Sequence, residues 1–204
     1  MQTRNPNATK KQILDVAERH FGEFGFAGAS LRGIIKDAKV NIAAVAYHYG
    51  TKEELLGAVL ERFARPVVTE QLKQLEAVES TRELSKILMA FYLPPLALVK
   101  SKGRAGSTLA LFLGRIQTEP EPVFSLVDRN FAECRNRFIE AFRACMPKST
   151  EEDLHWNFEF MLSLIVACLN RQSEIRKRYT SQTDWSPEEM AERMVRFCEF
   201  GMRN

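Results

Sequence analysis

Apolar residues recur along this chain at spacings of three and four, and nowhere do they alternate with polar residues between turn signals. A pattern of that period buries its apolar surface by packing helix on helix, so the expected fold is all-α. Internal repeats and low-complexity segments are absent.

Start and stop signals divide the pattern. The first helix is expected from about Thr9, where Thr9 and Gln12 can form a capping box. Ile13, Leu14, Ala17, Phe21 and Phe24 share one of its faces, and Gly25 offers a left-handed stop. Ser30 is a natural N-cap for a short second helix that turns Ile34, Ile35 and Ala38 inward, and Asn41 is one for a third. Thr51 and Glu54 form a further capping box, opening a helix from Lys52 to about Arg65. There Pro66, which lacks an amide donor, is expected to kink the helix or shift its register. Helices are also expected around residues 82–100, broken by Pro94 and Pro95, around 106–117 and around 122–146. Two strong helices close the chain. One starts at Ser149 or Thr150, with Ser149 and Glu152 as its cap, and runs towards Arg178; the other starts at Ser186-Pro187-Glu-Glu189.

With 204 residues the chain can bury a sizeable core, in one large domain or in a small one joined to a larger. It is 45% hydrophobic and 27% charged, no apolar run nears the roughly 20 residues of a membrane span, and the N-terminal MQTRNPNATKK has no apolar segment. These features read as a cytoplasmic protein without a membrane partner. Cys134, Cys145, Cys168 and Cys198 are irregularly spaced, with no Cys-x-x-Cys pair and no His at ligand spacing. They read as buried free thiols, and neither a metal nor a cofactor is implied. His20, His48 and His155 are the only histidines, and Gly103-Arg-Ala-Gly106-Ser lacks the Lys-Ser/Thr ending of a phosphate-binding loop. No catalytic constellation emerges, so an enzyme is not expected.

The net charge of +3 is unevenly placed. Residues 1–52 carry eight Lys and Arg against four acids, a net of +4, and the remainder nets −1. Attraction to phosphate therefore belongs to the N-terminal quarter. In that quarter the three short helices, with a tight turn between the second and third, make a helix-turn-helix arrangement whose last helix can enter a major groove. With Val40, Val45 and Tyr49 inward, Ala43, Ala44, Tyr47 and His48 lie outward. Small alanines can approach base edges closely, and their methyl groups can meet those of thymine. Tyr47, His48 and Lys52 are placed to hold phosphates. Arg32, Arg4, Lys10, Lys11 and DNA shape are the further candidates for specificity. On composition alone, residues 41–49 read equally as an alanine-rich core helix.

A second set of residues weighs on that choice. Ile13-Leu14 with Ala17, Phe21 and Gly25-Phe26, then Ser30-Leu31-Arg32 with Ile34, Val40 closing the turn, and Tyr47-His48-Tyr49 followed by Lys52-Glu-Glu-Leu55 stand in a fixed order. Through them the segment from about Thr9 to Leu60 resembles the DNA-binding domain of the TetR family of bacterial transcriptional regulators. The resemblance implies that Ser30 and Arg32 contact the DNA backbone or nearby base edges, that Ala43, Ala44, Tyr47 and His48 face the groove, and that Lys52 binds a phosphate. This chain departs from the family at Lys39, where glycine usually precedes the turn valine.

The same resemblance implies a DNA-binding domain over 1–52, with its helix-turn-helix at about 30–49. It implies a larger helical effector-binding and dimerisation domain over 53–204, in which 53–65 is a linking helix. The closing helices carry broad apolar faces that are either a monomer's core or, as the resemblance implies, a four-helix dimer interface of Leu162, Ile165, Leu169, Met194, Phe197 and Cys198. The homodimer would address double-stranded DNA at a palindromic operator, with half-sites about one helical turn, roughly 34–36 Å, or a multiple apart.

Residues 82–146 are rich in Phe and are expected to enclose an elongated apolar cavity, with Phe91, Phe112, Arg115, Phe131 and Phe158 as candidate effector-pocket residues. Residues 113–122, LGRIQTEPEP, together with Asn41-Ile-Ala-Ala44, are similar to the fatty-acyl-responsive branch of the family. An apolar or acyl-type small molecule that releases a repressor from DNA is the effector this implies, with Arg115 and Arg129 as candidates for an acidic head group. The alternative is a helical adaptor that sits on DNA without a small ligand.

Overall fold

Helices follow one another through the residues that the computed structural model describes, 6–103, 106, 110–114, 119, 121–179 and 184–203. They are α1 (Pro6–Gly28), α2 (Leu31–Asp37), α3 (Ile42–Tyr49), α4 (Lys52–Val78), α5 (Leu84–Ser101), α6 (Val123–Cys145), α7 (Glu151–Tyr179) and α8 (Pro187–Arg203). A 3-10 turn, Glu79–Thr81, precedes α5, and residues 110–114 are also helical. No strand occurs among the described residues. Two compact units result, one of Met1–Ala64 with Thr108–Asn130 and one of Arg65–Ser107 with Phe131–Asn204.

In the first unit α1, α2 and α3 pack on one another, and Ile13, Ala17, Phe21, Ile34, Val45, Leu55 and Leu56 are all buried. Helix α1 begins at Pro6, three residues before the expected start. Proline suits a first turn because its missing donor would be unpaired there anyway, and this leaves Thr9 within the helix, buried, and not at its cap. Gly25 does interrupt α1, with φ 72°, and its carbonyl accepts from the Ala29 amide at 3.1 Å. From far along the chain Phe112 joins this core, its ring 6.5 Å from that of Phe21. Arg62 ties α4 to Asp15 of α1 at 2.6 Å.

The second unit is built on α5, whose 18-residue span is apolar and long enough for a membrane but is instead a core helix packed along α8. Phe91 sits edge-on to Phe138 of α6 and Phe158 of α7, at 5.2 and 5.7 Å between ring centroids. The buried Tyr92 hydroxyl donates to the Met161 carbonyl at 3.2 Å and lies 3.0 Å from Cys198 Sγ.

The prolines do not break their helices. α4 runs through Pro66 to Val78, and α5 runs through Pro94 and Pro95. Pro95 cannot donate to the carbonyl of Phe91, one turn earlier, and would leave it bare in a buried setting. Gln71 of α4 supplies the missing donor: its Nε2 meets the Phe91 carbonyl at 2.7 Å, while its Oε1 accepts from Cys134 Sγ of α6 at 3.2 Å. Burial pushes the Cys134 thiol up to about 12, so it remains a donor. The cap of α7 is also shifted by one residue from the expected Ser149 and Glu152. Thr150 and Asp153 form it, with the Asp153 amide on Thr150 Oγ1 at 3.1 Å and the Thr150 amide on Asp153 Oδ2 at 3.0 Å. Ser186 caps α8 as expected, accepting from the Glu188 and Glu189 amides.

Gln71→Leu keeps the side-chain volume but strands the Phe91 carbonyl and the Cys134 thiol. We expect it to cost about 1–3 kcal/mol, read as a lower denaturation midpoint with an unchanged slope; an unchanged midpoint would show that the carbonyl is satisfied some other way.

Candidate nucleic-acid interface

The outer face of the first unit is assembled by short-range hydrogen bonds that start its helices. Ser30 Oγ accepts from the Gly33 amide at 3.0 Å, and Asn41 Oδ1 accepts from the Ala44 amide at 2.7 Å. Thr51 and Glu54 form a reciprocal box at the start of α4: the Thr51 amide donates to Glu54 Oε2 at 2.8 Å, and the Glu54 amide to Thr51 Oγ1 at 3.1 Å. Between α3 and α4, Gly50 takes φ 65°, and a Cβ there would run into the Glu54 carboxylate.

Between α2 and α3, Lys39 takes φ 50°, so the turn holds a lysine in the left-handed conformation where glycine is usual. The Lys39 amide donates to the Lys36 carbonyl at 3.1 Å, and the Val40 amide to that of Ile35 at 3.2 Å. Helix α2 is held to α1 through Asp37, whose Oδ2 lies 2.8 Å from His20 Nε2 and 3.3 Å from Arg19 Nη2. The hydrogen bond from His20, then the charges of His20 and Arg19, hold the Asp37 carboxyl below its ordinary range.

Helix α3 divides as its spacing predicts. Val45 and Tyr49 are buried, and the Tyr49 hydroxyl donates to the Lys10 carbonyl at 2.9 Å; burial pushes its pKa up to about 12. Outward, Tyr47 is 84% exposed, Ala43 is exposed, and Ala44 and His48 are half-buried, with the Tyr47 and His48 rings 5.0 Å apart. The sequence reading passed over two outward residues, Ile42 at 70% exposure and Ala46. The three- and four-residue spacing of 42, 43, 46 and 47 was the available signal.

In the same unit Arg32, Lys10 and Lys11 are exposed, and Ser30 Oγ, accepting as a cap, keeps its hydroxyl hydrogen to donate. Lys52 Nζ lies over the Phe26 ring, 4.4 Å from its centroid. The Phe26 amide, freed from the helical ladder by the Gly25 break, donates to Glu119 Oε1 at 3.0 Å. Arg4 lies outside the described residues.

The residues expected to line an effector pocket belong to both units. Phe91 and Phe158 meet in the core of the second unit, and Phe131 of the same unit is half-buried. Phe112 belongs to the first unit, on Phe21. Arg115 lies outside the described residues, and Arg129 is exposed.

The residues expected at the dimer interface differ in their exposure within the single chain. Ile165, Leu169, Met194 and Cys198 are buried within the single chain and Leu162 is half-buried, because the stripe that carries them packs against the chain's own helices. Phe197, 72% exposed, is the member left open, and it is joined by exposed Trp156, Phe160 and Phe200. Trp156 and Phe160 stack at 5.6 Å and border an open groove of about 830 Å³ with Lys148, Asn157 and Met202.

A capped helix-turn-helix with an exposed outer helix, in one chain with a larger helical unit, defines the class of helix-turn-helix regulators. The model of the family described as "Bacterial regulatory proteins, tetR family" matches residues 13–59, and that of the "Tetracyclin repressor-like, C-terminal domain" matches residues 89–201. The second spans more than half of the chain, and the chain belongs to the TetR family. Over 62 residues it is 39% identical to the HTH-type transcriptional repressor SCO4008 of Streptomyces coelicolor, covering 30% of this chain and 32% of that protein. Over 158 residues it is 27% identical to the HTH-type transcriptional dual regulator CecR of Shigella flexneri, covering 72% and 70%. The chain thus spans about a third of the length of SCO4008. The fatty acid degradation regulator FadR of Bacillus halodurans shares the fold, with a TM-score of 0.71 at 13% identity over 96% of this chain and 97% of that one.

Lys39→Gly removes the left-handed strain of roughly 1–2 kcal/mol but returns part of it as chain entropy in the unfolded state. The expected net gain is about 0.5–1 kcal/mol in thermal or denaturant unfolding; a loss of stability would mean that the lysine side chain contributes more than the turn costs.

Proposed function

We propose that this chain is a dimeric transcriptional repressor that holds a two-fold symmetric operator through α3 of each copy and releases it when a small apolar or acyl-type molecule binds. The observation that carries this reading is the outer face of α3. It leaves Ala43 and Tyr47 in solvent and stands in the part of the chain that nets +4 and that carries the exposed Arg32. In this reading Ala43 and Ala44 approach base edges, while Ser30, Arg32, Tyr47, His48 and Lys52 hold phosphates or neighbouring edges.

Trp156, Phe160, Phe197 and Phe200 support the dimer, because aromatic side chains left open on two adjoining helices favour burial against a second copy. Support for an acyl-type effector is the Phe-lined core of the second unit, together with the name of the FadR structure that shares the fold.

Selection from a random duplex pool at physiological salt tests the reading; a two-fold symmetric motif is expected, and a folded protein that enriches none would favour the adaptor. On the selected duplex Lys52→Ala should weaken binding whatever the sequence and reduce the slope of log affinity against log salt by about 1. Ala44→Glu should abolish binding, and unchanged affinity would show that α3 is not the reader.

Phe197→Glu should leave the monomer folded and shift sedimentation from dimer to monomer. A dimer of unchanged affinity would place the interface elsewhere.

A further inference from the structure

Ile42 is the residue of α3 that folding explains least. It is the first residue of the helix and 70% exposed, on a stripe with Ala43, Ala46 and Tyr47, while Val45 and Tyr49 serve the core from the opposite side. A β-branched side chain there is no aid to the helix, since its χ1 freedom is restricted against the turn. The same stiffness means that it loses little on being fixed against a partner.

What such a partner offers is limited by what α3 can read. From residue 42 to residue 46 every side chain is aliphatic. The amide oxygen of Asn41, just before them, is engaged with the Ala44 amide at 2.7 Å. None of these side chains can form a paired hydrogen bond to guanine or adenine. The apolar group that a base pair displays in the major groove is the C5-methyl of thymine. The net charge of +4 over residues 1–52 brings phosphates to this surface and so sets the stripe against base edges and not against a protein partner.

We infer that Ile42, flanked by Ala43 and Ala46, is a specificity-determining residue that reads thymine C5-methyl groups in each half-site. The inference rests on the DNA-binding reading above and deepens it. The operator is selected at this position by an apolar contact and not by hydrogen bonding. Discrimination there is accordingly modest, since one buried methyl is worth about fourfold in affinity.

The test uses the duplex recovered by pool selection, with each thymine replaced in turn by deoxyuridine, which removes only the methyl. For the full-length protein one thymine position is expected to lose about fourfold in affinity per half-site and about fifteenfold when both are replaced. Ile42→Ala, a surface change that leaves folding intact, should bind the thymine and uracil duplexes equally. At the same position a C·G pair should gain a similar factor for the wild type when its cytosine carries a 5-methyl group. Wild-type affinity indifferent to uracil at every position would overturn the inference while leaving the DNA-binding reading standing, and so would an equal loss in Ile42→Ala. A protein that retains no duplex would overturn both.

Discussion

Helices α2 and α3 are seven and eight residues long, too short to persist in water by their own hydrogen bonds, and the whole outer face hangs on the side chains that start them. Ser30 and Asn41 each take one of the amides that a helix start leaves bare, and the Thr51 and Glu54 box does so twice for α4. These bonds set the direction in which each short helix leaves its turn. Val45 and Tyr49 are then buried as α3 packs on α1 and α2, with the Tyr49 hydroxyl fastened to the Lys10 carbonyl. Where Tyr47 and Lys52 stand follows from that sequence of local events.

Such local chemistry is what a single sequence displays well. A cap lies within three residues of the amide it serves, so Ser30, Asn41 and the Thr51 box could be read directly, as could the inward and outward sides of α3. Apart from the small shifts at the starts of α1 and α7, what could not be read depends on partners distant in the chain. Pro95 was expected to break α5 because it strands a carbonyl, but the rescue comes from Gln71, twenty residues earlier than Phe91. Ile165, Leu169, Met194 and Cys198 form a genuine apolar stripe. Periodicity shows that a stripe will be covered but not whether the chain itself or a second copy covers it. Phe112 has the same ambiguity, resolved here by Phe21 of the first unit.

The core of the second unit combines aromatic packing with a few fully engaged polar groups. Gln71, Cys134 and the Phe91 carbonyl bind α4, α5 and α6 through one another, and Tyr92 joins α5 to α7 and α8 through the Met161 carbonyl and Cys198. A buried polar group is costly when alone and directional when paired, so these contacts fix the register of helices whose apolar faces alone would tolerate sliding. Burial also raises the pKa of Cys134, Cys168 and Cys198. Little thiolate is then present at neutral pH, and the reactivity of these thiols is correspondingly low.

The division of labour along α3 has an evolutionary side. Core positions 45 and 49 carry the packing, while 42, 43, 46 and 47 stand in solvent, where substitutions change stability by no more than about 0.5 kcal/mol. A lineage can therefore exchange the residues of that stripe one at a time without first acquiring stabilising changes elsewhere. Duplicated copies of such a gene could drift to new target sites while keeping the same scaffold.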